Sequence, residues 1–83
     1  MLAVETKNAT YWVDRAKGQW MRTTDSHPKE FDGFWVEGGF TLGEVGESCF
    51  AHFADFRGGA PGRATSRVVS IFDPAKELAN GDA

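Results

Sequence analysis

The chain has 83 residues, 41% of them hydrophobic and 13% aromatic, and its formal net charge is −3. A chain of this length forms a single domain, and its apolar fraction is too high for a disordered protein. The weak negative charge disfavours a general nucleic-acid-binding protein, because phosphate backbones are bound by clustered positive charge.

The first half of the chain predicts three short strands, two of them paired in a hairpin. Residues 2–6 show the period-two alternation of a half-buried strand. The β-branched and aromatic stretch 10–13 is followed by a polar turn at 14–18 and by a second strand-like stretch at 19–24, which predicts a hairpin. Pro28 cannot donate a hydrogen bond to a neighbouring strand, so this strand is expected to end before it.

The second half of the chain predicts further strands and a second hairpin. Residues 33–37 read as a strand, whereas the regularly spaced glycines of residues 40–46 favour a tight connecting loop. The stretches 48–54 and 65–72 are rich in β-branched and aromatic residues and flank a loop of glycine and proline, which predicts a hairpin. An Asp-Pro pair then favours a short helical turn over 74–79.

These elements predict a mainly all-β fold. Five or six strands in about 70 residues favour a small antiparallel barrel or a strongly bent sheet over residues 1–72, because closing the sheet removes its exposed edges. An SH3-like barrel is the first interpretation and an OB-like barrel the second. Residues 73–83 are expected to form the short helical turn and a frayed acidic tail.

Cysteine usage and hydropathy indicate the compartment. The single cysteine, Cys49, cannot form an internal disulfide, whereas small secreted domains usually contain several. No apolar run approaches the roughly 20 residues of a membrane span. The opening residues MLAVETKNAT lack the basic and apolar segments of an export signal. We therefore expect a cytoplasmic protein with no membrane partner.

The sequence offers little for catalysis or metal binding. Cys49 and His52 are the closest approach to a nucleophile and base. On one strand they are an odd number of positions apart and point to opposite faces, so Cys49 is predicted to be a buried structural thiol. The acidic and histidine residues within 25–32 and 52–55 lack the spacing of zinc or calcium ligands. We therefore expect no enzymatic activity, no metal and no cofactor.

The aromatic residues are the strongest functional feature. Residues 31–40, FDGFWVEGGF, place three phenylalanines and a tryptophan among three glycines. Adjacent aromatics would point to both faces of a sheet, but a domain of this size has one core, so some of them are expected to be exposed and to bind a partner. The predicted anchors are Trp12, Trp20, Phe34 and Trp35, and the predicted polar contacts are Arg22, His27 and Arg57. A homodimer interface and complete internal burial are the alternatives.

A second functional interpretation is a barrel that binds single-stranded nucleic acid. Arg57, Arg63 and Arg67 are interleaved with glycines and could contact a phosphate backbone while bases stack on aromatic rings. Glu44 and Glu47 dilute this positive charge, and an ordinary hairpin loop also explains the glycines. A homo-oligomeric structural component is a third interpretation.

Four stretches of the chain, TKNATYWVD, GQWMRTT, LGEVGESCFAHF and TSRVVSIF, share a loose pattern within residues 2–72. In this pattern the chain resembles small all-β accessory proteins encoded by actinobacteria and their phages. The resemblance implies a protein that binds a host protein and inhibits or redirects it. It implies no functional residue, because that class has no catalytic motif to match.

Overall fold

The computed structural model describes residues 1–24, 28–29, 32–55 and 60–74. Within these residues seven antiparallel strands form one sheet, curled into a half-barrel, in the order β4-β3-β2-β1-β7-β6-β5. The strands are β1 (Leu2–Thr6), β2 (Thr10–Asp14), β3 (Gln19–Thr23), β4 (Val36–Glu37), β5 (Phe40–Thr41), β6 (Ser48–His52) and β7 (Gly62–Phe72). The predicted all-β class is confirmed, but the described sheet has seven strands rather than five or six.

Both predicted hairpins are confirmed. Strands β2 and β3 pair with Trp12 opposite Met21, and the turn between them contains Gly18 with a φ of 61°. Strands β6 and β7 pair with Ala51 opposite Arg63. Alternating aromatic and β-branched residues with local turn residues therefore formed the elements that their sequence indicates.

The segment between the hairpins differs from the prediction. Only Val36–Glu37 of the strand expected over 33–37 pairs with a neighbour. The loop expected over 40–46 is wrong at its start, because Phe40–Thr41 pairs with β6. Two short strands thus replace one longer strand and a loop, and this division raises the strand count. Residues 75–83 lie outside the described part of the chain, and with them most of the helical turn predicted over 74–79.

Strand β7 has two irregularities that bend the sheet. Ser48 pairs with Arg67 and Phe50 with Ala64, so two residues of β7 lie opposite Cys49 alone. The hydroxyl of Thr65, one of these two residues, accepts a hydrogen bond from the backbone nitrogen of Cys49 at 2.9 Å. The pairing of β7 with β1 also shifts, between Glu5 and Thr6. Because β-bulges increase local twist and bend a strand, they account for the curl of the sheet.

The core lies on the concave face of the sheet, which we call the inner face. Trp20 is its largest fully buried side chain, and the indole nitrogen donates a hydrogen bond to the carbonyl oxygen of His52 at 2.8 Å. Cys49 is buried there as well, as predicted for a structural thiol. The other buried apolar residues that form this cluster are Val4, Ala9, Tyr11, Val13, Val36, Ala51, Phe53 and Val68. Within the described residues, no helix has the length and apolar character needed to cross a membrane.

Candidate binding surface

Phe34 and Trp35 form an exposed pair of aromatic side chains immediately before β4, which we call the aromatic tip. Their exposed fractions are 71% and 40%, and among the described residues they are the only aromatics in the set of exposed large hydrophobic side chains. The next residue, Val36, is fully buried opposite Trp20. The aromatic tip therefore projects from a segment whose following residue is fixed in the core.

The residues preceding the aromatic tip are held by an ion pair and a turn. The carboxylate of Asp32 pairs with the guanidinium of Arg22 and also accepts a hydrogen bond from the backbone nitrogen of Lys29 at 2.7 Å. The backbone nitrogen of Asp32 donates in return to the carbonyl oxygen of Lys29 at 3.1 Å. Gly33, with a φ of 81°, donates to the carbonyl oxygen of Arg22 at 2.9 Å. Four interactions thus fix the chain just before Phe34.

The residues following the aromatic tip are fixed by backbone hydrogen bonds to two different strands or turns. Gly38 donates to the carbonyl oxygen of Gly18 at 2.9 Å, and the carbonyl oxygen of Glu37 accepts from Ala54 at 2.9 Å. The tip is therefore anchored on both sides. An exposed apolar pair held in one backbone conformation loses less conformational entropy on binding than one in an unconstrained loop.

Positive charge lies unexpectedly inside the half-barrel. Arg22 is only 3% exposed, and its charge is compensated by Asp32. The guanidinium of Arg63 lies 5.3 Å from the centre of the Phe53 ring, within the range of a cation–π interaction. Burial raises the pKa of the Tyr11 phenol above its ordinary value of 10.0, although the charge of Arg22 and its hydrogen bond to the phenol oppose this shift. The inner face therefore combines an apolar core with a small charged cluster.

The raised pKa of Tyr11 predicts a loss of stability at alkaline pH. The folded state retains the phenol proton more tightly than the unfolded chain does, so this contribution is complete below pH 10 and is lost as the pH rises through the folded-state pKa. Urea denaturation at a series of alkaline pH values would measure the decline. We expect Tyr11→Phe to show a shallower decline than the native chain, and equal slopes in the two proteins would contradict the assignment.

The structure separates the residues predicted as aromatic and polar contacts. Trp20 and Arg22 were expected at a partner surface, but they are 2% and 3% exposed and lie in the core, so they cannot contact a partner in this conformation. Trp12 is half-buried on the outer, convex face, and its indole nitrogen donates to the Thr23 hydroxyl at 3.0 Å. His27 and Arg57 lie outside the described residues. Of the predicted contacts within the described residues, only Phe34 and Trp35 therefore form an exposed pair.

The arginines predicted to contact nucleic acid do not share a face. Arg63 pairs with the fully buried Ala51 and lies over an inner ring, whereas Arg67 is exposed and pairs with the exposed Ser48. Directly paired residues of neighbouring strands lie on the same face of a sheet. Arg63 and Arg67 consequently lie on opposite faces and cannot line one groove.

The cysteine and histidine of β6 lie on opposite faces, as predicted. Cys49 is buried, whereas His52 is partly exposed, with its Nε2 atom 2.7 Å from the hydroxyl oxygen of Thr41 and its ring centre 4.8 Å from that of Phe50. In the described part of the chain, no group of three or more His, Cys, Asp or Glu residues could hold a metal ion. The histidine is therefore occupied by local contacts on the outer face.

Sequence reasoning did not identify Asp32, the residue that anchors the aromatic tip. Its spacing from Lys29 is that of a side chain that closes a turn by accepting a backbone hydrogen bond, but this pattern is common in loops. Its partner Arg22 was predicted to be a surface contact, so the ion pair between them was not foreseen. Comparison of the chain with protein-family models, with curated proteins and with solved structures finds no match.

Proposed function

We propose that the chain is a non-enzymatic accessory protein that acts by binding another protein through Phe34 and Trp35. The observation that supports this proposal is the exposure of two adjacent aromatic side chains on a segment anchored at both ends. Large aromatic residues with few rotatable bonds are frequent energetic anchors of interfaces. The buried Val36 and the Asp32 ion pair keep the anchors exposed, because neither side of the segment can rotate them into the core.

Occlusion of a partner's working surface is the mechanism that we propose. The resemblance to accessory proteins of actinobacteria and their phages supports a host protein as the partner and the cytoplasm as the compartment. We group the curled sheet with SH3-like barrels in the same proposal. Its support is the crossing of the chain at Gly38 and Gly39 from the edge formed by β3 to the edge formed by β6.

We expect Phe34→Ala combined with Trp35→Ala to weaken partner binding by at least about tenfold, because interface anchors typically contribute more than about 1 kcal/mol each. Stability should change little, since both side chains are exposed. The matched control is Val45→Ala combined with Val69→Ala, which removes two other exposed apolar side chains, 64% and 59% exposed. Capture of partners from nuclease-treated host lysate by the three proteins provides the comparison. Equal capture by the native chain and the aromatic-tip variant would contradict the proposal.

The solution mass of the purified chain tests whether the partner is a second copy. Light scattering during gel filtration should give a value near the 9.1 kDa of one chain if the tip binds a different protein. A dimer that the aromatic-tip variant converts to monomer would show that the tip is used for self-association. A dimer that persists in that variant would show that a different surface forms it.

Nucleic-acid binding is less well supported than protein binding. Arg63 and Arg67 face opposite sides of the sheet, and the net charge of the chain is −3. Affinity for nucleic acid requires several phosphates to be neutralised together and weakens steeply as the salt concentration rises. Binding of a single-stranded oligonucleotide with that salt dependence would favour the second interpretation over the protein partner.

A further inference from the structure

We infer that the buried Arg22–Asp32 ion pair positions the aromatic tip for binding and adds little to the stability of the fold. This inference rests on the proposed function of the tip, and it assigns a positioning role to two residues that do not themselves contact the partner. The side chain of Arg22 is 4% exposed and that of Asp32 is 11% exposed, so the pair is largely removed from water.

The energetics of buried ion pairs favour this role. Removing two charges from water costs several kcal/mol per ion, and their attraction often only offsets that cost. Apolar residues of similar size would therefore serve the core at least as well. The position of the pair explains what an apolar pair would not provide, because a charged contact fixes Asp32 in one direction and at one distance, two residues before Phe34.

The connection from the ion pair to the tip runs through two residues. Strand β3 places the Arg22 guanidinium on the inner face, while its carbonyl oxygen accepts the hydrogen bond from Gly33. Arg22 thus holds Asp32 by its side chain and Gly33 by its backbone. Because Phe34 follows directly, its backbone direction is set from β3, although the two residues are distant in sequence.

The test is a double variant, Arg22→Met with Asp32→Asn, which removes both charges. The methionine fills most of the volume of the arginine stem, and the asparagine oxygen can still accept the hydrogen bond from Lys29, so only the ion pair is lost. The matched control is Lys17→Met with Asp14→Asn. It removes one charge of each sign from a similar turn, in which Lys17 donates its backbone hydrogen to Asp14.

Order parameters from nitrogen-15 relaxation of the free, full-length protein provide a readout that needs no partner. We expect the amides of residues 33–35 to fall from about 0.85 in the native chain and the control to below about 0.6 in the double variant. The midpoint of urea denaturation should stay close to that of the native chain. Amides that remain rigid in the double variant, or a large loss of stability with unchanged tip order, would overturn the inference.

Binding to a partner captured by the native chain is the second readout. We expect the double variant to bind it roughly tenfold more weakly, since ordering a side chain on binding costs about 0.5–1.5 kcal/mol and the tip has two. A loosened tip with undiminished binding would leave the positioning effect intact but contradict the proposed function. Should the double variant not fold, Asp32→Asn alone gives the same comparison of amide order, and rigid amides there would also overturn the inference.

Discussion

Replacement of Asp32 by alanine is expected to lower the free energy of unfolding by about 3–5 kcal/mol. The substitution removes the carboxylate but leaves the Arg22 guanidinium buried without its counter-ion, and the cost of an uncompensated buried charge dominates. It also removes the acceptor for the backbone nitrogen of Lys29. Because domains of this size are stable by only about 5–15 kcal/mol, the variant should unfold at a much lower urea concentration.

The matched control for this prediction is Asp14→Ala. Asp14 also accepts a backbone hydrogen bond three residues along the chain, from Lys17, but this contact is exposed. Its loss should therefore cost about 0.5–1.5 kcal/mol, the range of an ordinary hydrogen bond. Adding Arg22→Met to Asp32→Ala should recover much of the lost stability. A double variant that is no more stable than Asp32→Ala would show that the buried charge is not the cause.

Replacement of Gly38 by alanine is expected to lower the free energy of unfolding by about 2–6 kcal/mol, as overpacking and backbone strain each cost about 1–3 kcal/mol. A Cβ atom at this position would lie 1.9 Å from the carbonyl oxygen of His52, and Gly38 has a φ of +152°. The obstacle is backbone rather than the end of a side chain. Alanine can therefore be accommodated only if the chain moves away from the end of β6.

The adjacent glycine provides the control. A Cβ atom at Gly39 would have the His52 ring carbon, 4.0 Å away, as its nearest neighbour, and this contact is an ordinary one. Gly39→Ala should consequently change stability little, whereas Gly38→Ala should lower the thermal and urea midpoints together. Equal midpoints for the two variants would mean that the close approach at Gly38 relaxes without cost.

The elements that were predictable from the sequence are those specified by local pattern. Both hairpins combine alternating strands with turn residues between them, and each forms as expected. The strand expected over 33–37 failed because an aromatic-rich stretch is compatible with either a strand or an exposed tip. Only the distant partners Arg22 and Trp20 decide where pairing begins, and the sequence does not show these contacts.

The same limit applies to the side chains of the site. Trp20 and Trp35 are equally aromatic, but Trp20 is buried because its indole nitrogen reaches the carbonyl of His52, a residue of another strand. Arg63 and Arg67 are four positions apart and would share a face on a regular strand. The bulge opposite Cys49 inserts one residue between them and reverses that relation. A bulge without a glycine has no clear signal in a single sequence.

The placement of β4 and β5 has a consequence for how this protein would misassemble. These strands lie at the two ends of the sheet order, yet they belong to one short segment, residues 36–41. Sheet edges with unpaired backbone groups are templates for pairing with other chains. Displacement of this single segment would uncover β3 and β6 together, giving each molecule two adhesive edges. Two such edges permit open-ended polymers, whereas one would permit only pairs, so damage at Gly38 should produce fibrils or precipitates in preference to dimers.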